Sequence, residues 1–417
     1  MLLKDLLVDV PGVLETKGDM EVRIDALITD SREKTSGGLF FCISGARFDA
    51  HTFVGQAEKN GCVAFVVERI LDADVPQVKV ENVRSAMAYI AAAFYGHPEK
   101  EIRMVGVCGT KGKTTTSYLM KAILEKAGFK TGLIGTTGNM IGEKRLHSNL
   151  TTPDPIDLHR CLRQMRDEGV EVVSMEVSAH AVAMHRLDGV TFEAACYTNL
   201  SQDHLDYFGT MENYFETKKS FFMHGQVLNA ALNADDETSD KIIKDIKVPY
   251  LTFGISSDAD VFARDIEISE DGVSFSILLR GLEEMPVHMH LTGMFNVYNA
   301  LAAFACATMS GCTADECARG INAFRGAGRR FEFLGEVNGV TIADDYAHHP
   351  TELEATLRAA KEMDYKRVWA VFQPFTYTRT QMLLDDFARV LQIADKVVMT
   401  EIMGSRERAE DYAVRTK

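Results

Sequence analysis

Residues 104–123 read MVGVCGTKGKTTTSYLMKAI, and no other stretch limits the fold as strongly. A short apolar run, Met104–Cys108, leads into a loop with two glycines and then into residues at helical spacing. That is the order of a strand, a phosphate-gripping turn and a helix. Such a turn works when backbone N–H groups and a helix N-terminus converge on one anion, at the end of a strand in an α/β sheet. The commonest form of the motif has glycine five residues before the Gly of Gly-Lys-Thr; here that position is Val107. Gly109 and Gly112 let the backbone turn its N–H groups inward. Lys113 is placed to reach terminal phosphates, and the Thr114 hydroxyl suits Mg²⁺. The ligand implied is a nucleoside triphosphate. Lys111 reads equally well as a second phosphate cation or as a solvated loop lysine.

The same alternation continues on both sides. Residues 1–98 carry strand-like pieces, "RIDALITDSR", "GGLFFCISG" and "CVAFVVE", broken by Gly and Asp turns. "HPEKE" (97–101) reads as a polar linker. Beyond the loop, "KTGLIG", "VEVVSMEVS" and "FEAACYTNL" read as strands, and "DLHRCLRQMRDEG" and "MENYFETKKSFF" as helices. A more irregular part holds strand pieces "VSFSILL" and "PVHMHLTG", and the helices "VYNALAAFACATMSG" and "TADECARGINAF" close it. After "RGAGRRFEF" a second α/β unit follows: "GVTIADDYA", "KRVWAVF" and "DKVVMTEI" as strands, "PTELEATLRAAKEM" and "RTQMLLDDFARVLQIA" as one helix each. The expected domains are 1–98, 99–325 and 326–417. The last is short against the roughly 100–150 residues of a doubly wound domain, and we expect it to be incomplete or to lack its final strands.

A formal charge of −15 argues against non-specific nucleic-acid binding, though a local cationic pocket can still hold a phosphorylated substrate. The longest apolar stretches, such as "LAAFACATM", are too short to cross a bilayer, and the start reads as no signal peptide. None of the eight cysteines has C-x-x-C spacing, which predicts no zinc site and reduced, buried thiols. The expectation is a cytoplasmic monomer that neither binds nucleic acid nor inserts into membranes.

The shortened loop "GTKGKTTT" resembles that of the Mur ligase family, ATP-dependent enzymes that build the peptide stem of the bacterial cell wall. The resemblance runs on in order. "TDSREKTSGGLFFCISGARFDAHTFVGQAEKNGCVAFV" is similar to the uridine-binding domain of the tripeptide-forming member. "LTTPDP", "MEVSAHAVAMHRL", "TNLSQDHLDYFGTMENYFETKKSFF", "LNADDE" and "GMFNVYNALAA" are similar to its central ATP-binding domain. The implied architecture is three α/β domains, with a P-loop-type ATPase sheet in the centre and a Rossmann-like, shortened C-terminal domain. The implied function is peptidoglycan precursor synthesis, and with it cell shape and division: addition of an amino acid to UDP-N-acetylmuramoyl-L-alanyl-D-glutamate. The cofactors implied are ATP and Mg²⁺.

Residue roles follow from the same resemblance. ATP would be held by Gly109, Thr110, Lys111, Gly112, Lys113, Thr114 and Thr115, with Asn296, Asn299, Arg329 and Asp345. Thr114, Glu176 and His204 would serve metal ions, the first two being hard oxygen donors. Lys218 aligns with a lysine carbamylated by CO₂, a reaction that needs a neutral amine, so its pKa is expected to be depressed by burial or neighbouring cations. Lys219, about 100° away around the helix, should be ordinary. Lys113, Lys218, His204 and Arg329 form the expected catalytic set. The sugar nucleotide would meet Ser31, Ala46, Arg47, Thr151, Thr152, Ser178 and Arg186; Ala179 stands where family members often have a second serine. Without the resemblance, Glu176 reads either as a ligand group at a strand's C-terminal edge or as a solvent-facing strand end, Lys218 as a solvated helix lysine, and Asn296 and Asn299 as helix caps.

The last third differs. "FRGAGRRFEFLG", "ADDYAHHPTELEATL" and "FQPFTYTRT" resemble the L-alanine-adding member, and the Asp-Asn-Pro-Arg motif of the tripeptide-forming one is absent; "TEIMGSRERAE" occupies that region. The incoming amine binds largely here, so alanine addition to UDP-N-acetylmuramate stays open, as does a non-catalytic binder of the nucleotide. A simple P-loop kinase is the weakest alternative. Because the ATP and amine sites would lie on separate domains, closure is expected in turnover.

Overall fold

The structure is a computed structural model describing all residues except 46–48, 147, 149, 256–257, 270, 281–283, 328–330, 364, 405–406 and 416–417. Two compact units emerge: residues 1–265, 275–287 and 297–324 in one, and 266–274, 288–296 and 325–417 in the other.

The first sheet contains β1 (Val13–Lys17), β2 (Ala26–Ile28), β3 (Gly38–Phe41), β4 (Cys62–Val67) and β5 (Gln77–Val80) in the order β1-β5-β4-β3-β2. All pairings are parallel except β1 with β5. β3 and β4 are apolar runs covered on both faces, as parallel strands require. Alternation sends Leu39, Phe41 and Val66 into a core with the helix Val83–Phe94, and Phe40, Phe65 and Val67 into the opposite one. Asn82 starts that helix by accepting from Arg84 N at 2.9 Å. "HPEKE" is partly packed into the fold. Pro98–Lys100 is a tight turn whose Glu99 is buried, with His97 Nδ1 3.0 Å from its Oε1. No division between compact units falls there.

The central sheet is built from β6 (Arg103–Cys108), β7 (Thr131–Ile134), β8 (Asn139–Ile141), β9 (Lys144–Leu146), β10 (Val172–Val177), β11 (Ala194–Tyr197), β12 (Ala230–Asn233), β13 (Tyr250–Gly254), β14 (Val261–Ser269), β15 (Gly272–Leu279) and β16 (Glu284–Met289). Their order is β16-β15-β14-β13-β12-β11-β6-β10-β7-β8-β9. From β14 to β7 the pairing is parallel throughout. The hairpin β8–β9 turns antiparallel at the edge, a feature the sequence reading lacks. β6, β10 and β11 are almost wholly buried, so their alternation is hidden and only their length and flanking glycines betray them. The helix Lys113–Lys126 packs on this sheet and against the helix Ala314–Ala323, which starts with a Thr313/Glu316 capping box.

In the second unit, β17 (Glu332–Val337) and β18 (Val340–Asp344) form an antiparallel hairpin, and β19 (Trp369–Phe372) and β20 (Lys396–Met399) a parallel pair. Ala370 and Phe372 pack against Leu353 and Leu357 of the helix Pro350–Glu362, and against Phe387, Val390 and Leu391. The helix expected over "RTQMLLDDFARVLQIA" is two, Tyr377–Met382 and Leu384–Leu391, broken at Leu383 (φ −114°, ψ 23°). The second helix aims Phe387, Val390 and Leu391 at one core, while Met382 and Leu384, on either side of the break, stay exposed.

Candidate active site

The loop after β6 leaves the sheet beside the ends of β10 and β11, where open α/β sheets hold ligands. Gly109 (φ +148°) and Gly112 (φ +85°) have backbone conformations other residues avoid. A Cβ on Gly109 would lie 1.9 Å from Thr198 Oγ1, and one on Gly112 2.3 Å from Asn299 Oδ1. Neighbouring side chains brace the loop: Thr110 N donates to Asn199 O (2.9 Å), Lys111 N to Asn199 Oδ1 (2.9 Å), and Thr198 Oγ1 to Lys111 O (2.7 Å). The turn is thereby held with its helix beginning at Lys113. Thr114 and Thr115 are buried in the first helical turn.

Lys113 Nζ donates to Gly109 O (3.1 Å) and Thr110 O (2.8 Å). Burial drives its pKa down, and the Glu176 carboxylate opposes that shift. Glu176 pairs in register with Val107 on β6, which brings it to the base of the loop. It is 1% exposed, which excludes the solvent-facing reading. Its Oε1 accepts from Thr136 N (2.9 Å) and its Oε2 from Thr136 Oγ1 (3.0 Å). A carboxylate has about four acceptor positions, so the two it uses leave capacity for a metal or its water.

Lys218 is 1% exposed. Nζ donates to Gly109 O at 2.6 Å and sits 4.5 Å from the centre of the Tyr214 ring. Burial first, then Lys113 and Lys111, push its pKa down to about 7, against the pull of Cys108 and Asp203. The expected depression is present, with the expected causes. Lys219 lies on another arc of the helix and pairs with Asp245, which raises its pKa.

His204 has φ +54° and a half-buried ring 4.8 Å from that of His180. Among the described residues there is no group of three or more His, Cys, Asp or Glu side chains suited to a metal. His204 therefore does not belong to a protein-only metal cluster there. Glu176 and Thr114 fit a different kind of site, in which phosphate and water complete the shell, as Mg²⁺ prefers.

The proposed sugar-nucleotide residues fall in two places. Thr151 Oγ1 is 3.0 Å from Thr136 Oγ1, one step from Glu176. Thr152 Oγ1 donates to Glu176 O (2.7 Å) and accepts from Ser178 N (3.0 Å). Arg186 donates to Thr152 O (2.8 Å) and pairs with Asp154 (2.8 Å), and Ser178 Oγ caps the helix Ala179–Ala183 through Ala181 N. Thus Thr151, Thr152, Ser178 and Arg186 are joined to the Glu176 strand end. Ser31 is buried in the first sheet's domain, where its carbonyl accepts from Asn60. Ala46 and Arg47 lie outside the described residues.

Asn299 is drawn to the loop, its Oδ1 3.3 Å from Thr116 Oγ1, and is no cap. Asn296 Nδ2 donates back to Thr292 O (2.8 Å). In the second unit Asp345 accepts from Phe331 N (2.8 Å), Ala347 N (2.8 Å) and Thr356 Oγ1 (3.1 Å). Arg329 lies outside the described residues. The sequence reading missed Thr136, Asp203 and Tyr214. Asp203 pairs with Lys111 (3.3 Å), which ties that lysine to the loop's surroundings rather than to solvent. Only the motif "SQDHLD" marked Asp203; nothing in the sequence marked Thr136.

All eight cysteines are free and buried. No helix among the described residues is long and apolar enough to cross a membrane.

Three family descriptions match: "Mur ligase family, catalytic domain" over 23–95, "Mur ligase middle domain" over 107–307, and "Mur ligase, glutamate ligase domain" over 329–416. The UDP-N-acetylmuramoyl-L-alanyl-D-glutamate–2,6-diaminopimelate ligase of Geobacillus thermodenitrificans is 40% identical over 380 residues, 89% of this chain and 77% of that protein. A protein of the same description from Clostridium acetobutylicum is 36% identical over 377 residues, again 89% and 77%. A solved ligase of that description superposes with a TM-score of 0.76 at 26% identity, covering 98% of this chain and 84% of that one. The MurF ligase of Thermotoga maritima in complex with ADP, 22% identical with a TM-score of 0.64 over 91% of this chain and 84% of its own, shares the fold.

Proposed function

The chain belongs to the Mur ligase family, and from that premise we propose that it is an ATP-dependent amide ligase of peptidoglycan precursor synthesis. It adds an amino acid to UDP-N-acetylmuramoyl-L-alanyl-D-glutamate through an acyl phosphate, in the cytoplasm, as a monomer. The observation that carries this reading is the register of β10 on β6. It sets the buried carboxylate of Glu176 against the base of a glycine loop whose half-buried lysine, Lys113, feels its charge.

A carboxylate and an amine do not condense at neutral pH, and ATP supplies the phosphoryl group that activates the acid. The chain's part is positioning and electrostatics. Residues Gly109 to Thr115 would cradle the phosphates with backbone N–H groups and the helix N-terminus, and Lys113 would exchange its two loop carbonyls for phosphate oxygens. Thr114 and Glu176 would hold Mg²⁺. Thr151, Thr152, Ser178 and Arg186 would orient the acceptor carboxylate beside that strand end, with Ser31, Ala46 and Arg47 on the uridine side. Asn296 and Asn299 would meet the adenine end, and Arg329 and Asp345 would be the C-terminal contribution to ATP. His204 and Lys218 complete the centre; a buried amine poised near 7 has the neutral fraction that carbamylation needs.

The relatives named above are 2,6-diaminopimelate ligases; the absence of Asp-Asn-Pro-Arg here leaves the amino acid to experiment. Phosphate release would be measured with UDP-N-acetylmuramate and with the L-alanyl-D-glutamyl acceptor, each against a panel of amino acids. Release with the dipeptide acceptor, and a hydroxamate when hydroxylamine is added, is expected. Release only with UDP-N-acetylmuramate and alanine would transfer the assignment to alanine addition. Tight nucleotide binding without release would leave a non-catalytic binder.

A further inference from the structure

Tyr214 has no part in the chemistry above, yet its side chain reaches three of the groups that do. It lies one helical turn before Lys218 on the helix Met211–Met223 and is 2% exposed. Positions i and i+4 share a helix face, which brings the ring beneath the amine. Its centre is 4.5 Å from Lys218 Nζ. The ring also meets that of His204 edge-on at 6.2 Å, and the hydroxyl faces the Thr110 side chain of the loop. On its other side the Lys218 amine donates to Gly109 O at 2.6 Å. The charged and titratable groups around it include Cys108, Lys113 and Lys111 from the β6 end and loop, Asp203 from the segment after β11, and His180 from the helix Ala179–Ala183.

A buried ammonium with two like charges nearby needs compensation beyond one carbonyl. The face of an aromatic ring carries negative electrostatic potential and attracts a cation, while offering nothing comparable to a neutral amine and repelling an anion. We propose that Tyr214 is a positioning residue that seats the Lys218 ammonium between its ring face and the Gly109 carbonyl, so that the amine becomes nucleophilic only on leaving that seat. The ring thereby favours the charged, loop-bound form of Lys218 over its modified form. The inference rests on the assignment of Lys218 to the reacting centre.

The test is competitive labelling of the full chain at pH 5, where Lys218 is mostly charged, with trace acetic anhydride, which acylates neutral amines, read by peptide mass spectrometry as the ratio of label on Lys218 to that on the α-amino group of an added reference peptide. Tyr214→Met fills the volume without a ring face and should raise the ratio by roughly ten-fold, the scale of a desolvated cation–ring contact. Tyr214→Phe keeps the face and should stay within about two-fold of the parent. An unchanged ratio in Tyr214→Met, including no label on Lys218 in either protein, overturns the proposal. So does an equal rise in Tyr214→Phe, which would assign the effect to the hydroxyl and Thr110. If Tyr214→Met does not melt cooperatively, Tyr214→Leu carries the same expectation. Ligase activity of Lys218→Met tests the underlying assignment separately: full activity there removes Lys218 from the centre, whatever the labelling shows.

Discussion

At the loop end of the central sheet, Glu176 and Lys218 are buried and Lys113 is half-buried, and all three are hydrogen-bonded to backbone or to threonine. In the C-terminal unit the imbalance is reversed. Trp369 is 57% and Val371 72% exposed on one face of β19, and Phe333, Leu334, Val337 and Val340 stand out from the hairpin. A charge taken out of water costs several kcal/mol unless it is paired, so three together mark a place shaped by something other than stability. Exposed apolar side chains cost the folded chain little. Charge clustered in this way points to the candidate site, whereas exposed apolar surface marks only a layer whose second face is open, since a parallel pair such as β19–β20 usually has both faces covered.

The comparison breaks most readily at Lys113. Lys113→Ala should lower kcat for amide formation by on the order of 10²–10³-fold while the melting temperature holds or rises, because a partly desolvated cation is removed. Intact synthesis would show that burial there is structural. Glu176→Gln keeps the shape and the contact with Thr136 N but removes the charge. A loss of about 10²-fold, with a raised Mg²⁺ requirement in a titration of initial rate, is expected; an unchanged Mg²⁺ dependence would sever Glu176 from the metal.

A smaller effect sharpens the comparison through pH. The Lys218 pKa is about 7 when folded and near 10.4 when unfolded. Between those values the unfolded chain holds the extra proton, so stability rises with pH; below about 7 both forms are charged and the penalty is complete. Relative to Lys218→Met, the parent should gain about 2 kcal/mol between pH 7 and 9, measured by urea unfolding in CO₂-free buffer. Parallel curves would mean that the amine is not buried as a cation. The smallest effect belongs to the other region. Val371→Thr should change stability by less than about 0.5 kcal/mol in the same assay, whereas a loss above about 1.5 kcal/mol would show that this face of β19 is covered.

The loop was legible because its requirements are local. Gly109 and Gly112 are imposed by backbone conformation, and Lys113 and Thr114 follow at fixed offsets on the next helix. The strands β6, β10 and β11 and their helices were legible from apolar runs and helical spacing. The short edge strands β8 and β9 were not, since three residues carry no period. Nor was the break at Leu383, because a helical pattern does not say where its axis turns. "HPEKE" reads as a polar linker, and only packing shows Glu99 buried beside His97 and His159.

Sequence alone determined the strand–loop–helix, the alternation of elements and the family likeness, because each rests on spacing along one chain. Whether Glu176 faces solvent or the loop was decided by the register of β10 on β6, which sets residues about seventy positions apart side by side. The protonation poise of Lys218 was decided the same way. Its identity is written in the chain, but its desolvation, the Gly109 carbonyl, the Tyr214 ring and the neighbouring lysines exist only once helix and sheet have packed.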